Sequence, residues 1–274
     1  MNPRALATWS VAGITVALAS ANPVYRVIVL LCALNVLVAL RRPDVSLRGL
    51  TVALIVAGLI ATAITTLASH SGDHAFLVLP AGIPVIGGRL TVEAALFGAS
   101  SGLGIAAAVL AAAPLSLVLM PHSLVDALPS ALARTGAAIG TALNLIPGIA
   151  RSATEIRDAQ RMRGWRPRRV REWPDLAVPV VLTALESSIT LAEAMEARGY
   201  GSGARTHYRD AVWHPTDVVV CVVAAAAAAT FVVLRVAGVI GDWYPFPDVS
   251  VPPINVLGVA CCLALAVPAL VWRR

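Results

Sequence analysis

Long apolar runs separated by short polar stretches dominate the chain. Six of them, at about 5–21, 27–40, 49–69, 92–120, 216–236 and 254–272, can span or nearly span a bilayer, which takes roughly 20 mostly apolar residues per helix. The first two are short for a hydrocarbon core about 30 Å thick, which leaves them tilted or paired as a shallow hairpin around Asn22-Pro23. The fourth would reach about 43 Å as a helix and overshoot the bilayer. Its GASSG run, Gly98 to Gly102, suits close helix packing inside the bundle better than a partner-docking face. Residues 121–214 break the apolar pattern and read as helices, with Pro129, Pro147 and Pro179 suited to starts or kinks and Gly164 and Gly199 to helix ends. The pattern predicts an all-α polytopic integral membrane protein with about six transmembrane helices. Residues 1–120 hold about four spans, 121–214 form a helical cytoplasmic region, and 215–274 hold about two more.

Composition sharpens this picture. Apolar residues make up 58% of the chain and charged ones 13%, against about 25% charged in a soluble domain. Every one of the 21 basic Lys/Arg positions is arginine. A phosphate-binding P-loop needs its lysine, so any ATP used in this function is hydrolysed elsewhere. Arg4, Arg41, Arg42, Arg48, the arginines of 134–209 and Arg273-Arg274 fall on one side of an alternating topology, leaving Arg26, Arg89 and Arg235 at the other. The positive-inside rule puts both termini in the cytoplasm. Ala19-Ser20-Ala21 matches a signal-peptide cleavage pattern, but the single arginine before it and the apolar run close behind argue against processing.

Several chemistries find little support. The four cysteines, Cys32, Cys221, Cys261 and Cys262, lack metal-ligand spacing and read as small buried hydrophobes. His70, Asp73 and His74 could ligate a metal but read better as a solvated loop, so no metal site is expected. There is no HExxH, no GxSxG and no pair of intramembrane aspartates. The ionisable Glu93, Asp217 and Arg235 lie near span ends, unlike the intramembrane charges of secondary transporters.

One short repeat stands out. IRDAQRMRGW (156–165) and LAEAMEARGY (191–200) align without a gap. Asp158 matches Glu193, Arg163 matches Arg198, Gly164 matches Gly199 and Trp165 matches Tyr200. Each copy alone is explained by a helix end, with arginine favourable to the dipole and glycine at the left-handed C′ position. Two matched copies ask for more, because capping requires neither the aromatic nor the acid. Paired guanidinium groups at two helix tips suit bidentate docking to carboxylates or phosphates rather than catalysis.

IPGIARSATEIRDAQRMRGW, AMEARGYGSGARTHYR and the N-terminal NPVYRVIVL resemble the transmembrane T component of energy-coupling factor transporters, the CbiQ-like family of ABC-type micronutrient importers. The resemblance implies a non-enzymatic coupling subunit that joins a substrate-binding S component in the bilayer to two ABC ATPases. It implies that Met162, Arg163, Gly164 and Ala197, Arg198, Gly199 form the ATPase-docking motifs, with Asp158, Arg161, Glu193 and Glu196 in support. Met162 stands where alanine is common. It implies no cofactor on this chain, with ATP and Mg on the ATPases, uptake of a vitamin, vitamin precursor or Co/Ni ion, a place in the bacterial inner membrane, and no nucleic-acid partner. The alternatives are a membrane scaffold without transport and a stand-alone secondary transporter.

Overall fold

The structure, a computed structural model, describes residues 2–40, 48–69, 74–78, 89–117, 133–165, 173–200, 213–246 and 249–272. The chain forms two compact units, Met1–Met120 with Val212–Arg274, and Pro121–Ala211. In the first unit, α1 (Pro3–Ala19), α2 (Pro23–Leu40), α3 (Arg48–Ala68) and α4 (Val92–Leu117) precede the inserted second unit. The second unit holds α5 (Ala133–Met162) and α6 (Pro174–Ala197). The first then resumes with α7 (Pro215–Val236), α8 (Val256–Ala264) and α9 (Val267–Val271).

The protein is all-α and polytopic, but its spans differ in detail from the six runs read from the sequence. Among the described residues five helices, α2, α3, α4, α6 and α7, are long and apolar enough to cross a membrane. The run at 254–272 is not one helix. Pro268 lacks an amide proton and its ring opposes the carbonyl one turn earlier, so α8 stops at Ala264 and α9 restarts at Val267. The break leaves the Leu265 carbonyl open, and Trp9 Nε1 donates to it at 2.9 Å. α1, 17 residues long, buries one face in the core and leaves Val11 and Leu18 exposed on the other. Residues 118–132, including Pro129, lie outside the described residues, so the fourth span is described only to Leu117. The stretch expected as a loop at 70–90 contains a small antiparallel ribbon, β1 (Ala75–Val78) with β2 (Arg89–Thr91), in which Val78 pairs with Arg89.

The core of the first unit forms where α1, α2, α4, α7 and the α8–α9 pair meet. Leu6, Trp9 and Val16 from α1, Tyr25, Val29 and Leu37 from α2, and Phe231 from α7 are buried there. Tyr25 and Phe231 meet edge to face with ring centroids 5.6 Å apart. α3 packs along α4 and has no fully buried residue. The GASSG run serves this crossing: a Cβ on Gly98 would meet the Thr62 carbonyl oxygen at 2.9 Å, and one on Gly102 would meet that of Gly58 at 2.9 Å. The rest of α3 presents Val52, Ile55, Leu59 and Ile64 outward, as suits a helix in lipid.

Polar side chains gather at the two ends of this bundle. At one end Asp217, fully buried in the first turn of α7, accepts from the Asn2 amide at 3.1 Å and from Trp272 Nε1 at 3.1 Å. The first and last described helices therefore start and finish together. At the other end Asn22 caps α2 through the Val24 amide and donates to the Pro253 carbonyl at 2.7 Å. The Tyr25 hydroxyl accepts from the Asn255 amide at 2.8 Å, and Arg26 Nη1 donates to the Ser100 carbonyl at 2.7 Å. Arg235 pairs with Asp242 and donates to the Ala19 carbonyl.

The α3–α4 crossing gives a direct test. Gly102→Val should force the two backbones apart and destabilise the purified protein by about 1–3 kcal/mol, the range for overpacking. Gly148→Ala, on α5 with open space around its Cβ position, should instead raise stability by about 0.5–1 kcal/mol. Thermal unfolding in detergent measures both, and a neutral Gly102→Val would show that the helices are not closely apposed.

Candidate functional site

The two copies of the repeat end α5 and α6 in the same way. At the first, the Trp165 amide donates to the Gln160 carbonyl at 2.9 Å and the Gly164 amide to the Arg161 carbonyl at 3.0 Å. At the second, the Tyr200 amide donates to the Met195 carbonyl at 3.0 Å and the Gly199 amide to the Glu196 carbonyl at 2.8 Å. Both follow the Schellman pattern, in which a left-handed glycine lets the chain turn back on the last carbonyls. The glycines have φ of +85° at Gly164 and +73° at Gly199, where a side chain is disfavoured. The sequence repeat is thus also a repeat of backbone hydrogen bonds. Arg161 and Glu196, expected as supporting residues, supply matched carbonyls.

The cap does not account for the arginines. α7 ends in a third Schellman turn, with Gly238 at φ +73° and the Val239 amide on the Leu234 carbonyl, yet alanine occupies its cap position, Ala237. Arg235, in the last turn of α7, is paired with Asp242. Arg163 and Arg198 stand at the cap position of their helices, are exposed, and have no ion-pair partner among the described residues. Asp158 lies 3.9 Å from its neighbour Arg157 and makes no ion pair with Arg163. Glu193 is exposed and likewise has no described ion-pair partner. Met162 is 85% exposed and Tyr200 61%, so each tip presents a guanidinium beside accessible apolar surface.

α5 and α6 pack against each other. On α6, Val180, Ala184 and Leu191 lie on a half-buried face, while Val178, Val181, Leu182, Leu185 and Ile189 remain exposed on another. That second apolar stripe was missed in the sequence, although its helical spacing was legible. Of the weak metal candidate, the described residues include His74 alone. His74 Nδ1 lies 2.7 Å from the Oε1 of Glu93, a fully buried carboxylate at the start of α4. His70 and Asp73 lie outside the described residues. Among the described residues no group of three or more His, Cys, Asp or Glu side chains is placed to hold a metal ion.

Comparison with known proteins decides the family. The family model CbiQ, described as "Cobalt transport protein", matches residues 2–208. The chain belongs to the CbiQ family. The chain is also similar to curated proteins named energy-coupling factor transporter transmembrane protein EcfT. The Bacillus subtilis EcfT is 37% identical over 100 residues, covering 34% of this chain and 38% of that protein. A Listeria monocytogenes relative, EcfT 1, is 36% identical over 104 residues, covering 35% and 39%. The Lactobacillus helveticus EcfT is 35% identical over 88 residues, covering 30% and 32%. The chain aligns over about a third of the length of these relatives. Together with its apolar helices, family membership makes this a multi-pass membrane protein of a transport family.

The caps can be separated from the arginines experimentally. Gly164→Ala or Gly199→Ala should each cost roughly 1–2 kcal/mol through left-handed strain. Arg163→Ala or Arg198→Ala should cost no more than about 0.3–1 kcal/mol, the dipole contribution. Thermal melts followed by circular dichroism compare them, and equal losses would make the arginines part of the cap.

Proposed function

We propose that this CbiQ-family chain is the T component of an energy-coupling factor importer. It couples two cytoplasmic ABC ATPases to a substrate-binding S component in the bilayer, for uptake of a vitamin, a vitamin precursor or a Co/Ni ion. The chain itself hydrolyses nothing; ATP and Mg belong to the ATPases. The observation that carries this reading is the pair of matched helix ends, each offering an exposed arginine that the cap does not require. Such forks suit bidentate pairing with carboxylates in a partner groove.

The reading places the protein in the bacterial plasma membrane with both termini and residues 121–214 in the cytoplasm. Arginine asymmetry supports this. α6 is long and apolar enough to cross a membrane, but Glu186 sits near its middle and Asp175, Glu193 and Glu196 lie along it. A charge at the bilayer centre costs at least about 2.5–3.5 kcal/mol, which favours a cytoplasmic α6. Labelling a single cysteine introduced at Ser202, in a background without the native cysteines, tests the topology. Protection from an impermeant reagent outside the cell is expected, and outside labelling would reverse the orientation.

Charge reversal tests the docking role. Breaking a buried interfacial charge pair costs about 2–5 kcal/mol, well beyond a dipole effect. Arg163→Glu and Arg198→Glu should leave the chain inserted and folded yet reduce co-purification of the ATPases by on the order of 30-fold or more, with the double variant at least as severe. Arg168→Glu and Arg169→Glu, outside the repeat, should be milder. Wild-type assembly of the motif variants, or equal damage from the controls, would remove the docking assignment.

A further inference from the structure

Arg26 is a half-buried guanidinium in the first turn of α2, and among the described residues it has no ion-pair partner. Its Nη1 donates to the Ser100 carbonyl at 2.7 Å and to the Ser100 hydroxyl at 3.0 Å. That hydroxyl donates in turn to the Ala21 carbonyl at 2.8 Å. Gly104, one turn further along α4, is the notch for the rest of the group. A Cβ there would meet Arg26 Nε at 2.8 Å and Cζ at 2.9 Å. Nε is buried without a hydrogen bond. Of the five donors of a guanidinium, two are therefore spent on Ser100 and one is sealed against Gly104. The two on Nη2 are neither buried nor bonded among the described residues. Asp242, whose charge acts on Arg26, is paired with Arg235, and Glu93 is paired with His74.

A cation within a membrane-spanning segment is costly and marks a functional site by default. α2 has 18 residues, about 27 Å of helix, which nearly matches the hydrocarbon thickness. Its first turn therefore lies close to headgroup depth. Aromatic rings mark the same level. Phe97, one turn before Ser100 on α4, stacks on Tyr244 at 6.1 Å and meets Phe246 at 5.8 Å between ring centroids, and tyrosine is enriched where bilayer meets water. We propose that Arg26 is a lipid-binding residue, its Nη2 edge holding the phosphate of an anionic phospholipid in the leaflet where α2 begins. A planar guanidinium suits phosphate oxygens, and the Ser100–Gly104 cradle fixes its orientation before any lipid arrives. A lipid with net negative charge supplies the counter-ion that the protein does not. A choline headgroup brings its own cation beside the phosphate and supplies less. The site lies wholly within the first unit, so it stands apart from the coupling role proposed for α5 and α6.

The test is a lipid titration of the full chain in detergent, read by native mass spectrometry. Phosphatidylglycerol is the probe and phosphatidylcholine the comparison. The native chain should bind a first phosphatidylglycerol more tightly than further copies, and more tightly than phosphatidylcholine. Arg26→Gln should weaken that first binding by about tenfold or more, the loss expected for hydrogen bonds to a charged group. Arg48→Gln, at the start of α3, should leave it unchanged. Gly104→Ala keeps the charge but places a Cβ against Nε, and should weaken the first binding several-fold. Circular dichroism shows which variants are folded, and Gly104→Ala decides if Arg26→Gln is not. Millimolar inorganic phosphate should not displace the lipid. Displacement would make this a site for free phosphate and overturn the proposal. Equal affinity for the two lipids would overturn it too, as would undiminished phosphatidylglycerol binding in a folded Arg26→Gln or Gly104→Ala chain. No ATPase is present, so the outcome is independent of the co-purification that tests the coupling role.

Discussion

A backbone carbonyl or buried charge in an apolar surrounding has no water to turn to, and leaving it unpaired costs several kcal/mol. The membrane bundle is arranged around that constraint. Where Pro268 breaks the last apolar run, Trp9 reaches across from α1 to the freed Leu265 carbonyl. Where helices must end, Asn22, Tyr25, Arg26 and Arg235 meet carbonyls and amides at one end, and Asp217 does so at the other. Each of these bonds joins segments distant in sequence, so satisfying polar groups also sets which helices are neighbours. Apolar packing then fills the interior, with Trp9, Tyr25 and Phe231 set among buried alanines, and close α3–α4 approach depends on Gly98 and Gly102 having no side chain.

The three Schellman turns show how one local device serves different ends. Gly164, Gly199 and Gly238 all adopt positive φ and close the same backbone rings. In α7 the nearby arginine is consumed inside the molecule by Asp242. In α5 and α6 the arginines sit two positions later, on the cap residue itself, and are exposed to solvent. A helix end alone does not dictate that difference. It is what separates a turn that merely stops a helix from a turn that presents a charge, and it is why the docking reading is attached to Arg163 and Arg198 rather than to every capped helix in the chain.

Length, apolar runs and the repeat were legible in the sequence because each depends on nearby residues. A spanning helix is declared by its own composition. A Schellman end is closed by bonds reaching five residues back, so Arg163-Gly164-Trp165 and Arg198-Gly199-Tyr200 could be paired before any fold was known. The break in 254–272 was equally local, marked by Pro268, but averaged hydropathy over the run concealed it. The same averaging hid the exposed stripe from Val178 to Ile189.

Tertiary structure alone decided the rest. Nothing near Asp217 in sequence announces that its partners are Asn2 and Trp272, 215 and 55 positions away, nor that Arg26 would settle on Ser100, 74 positions on. The sequence by itself determined that the chain is helical, membrane-embedded and ends two helices with matched arginine tips, since those properties follow from local chemistry. Which polar groups meet at the bundle's two ends depended on how the helices pack, because a donor and an acceptor become partners only once folding brings them within about 3 Å of each other.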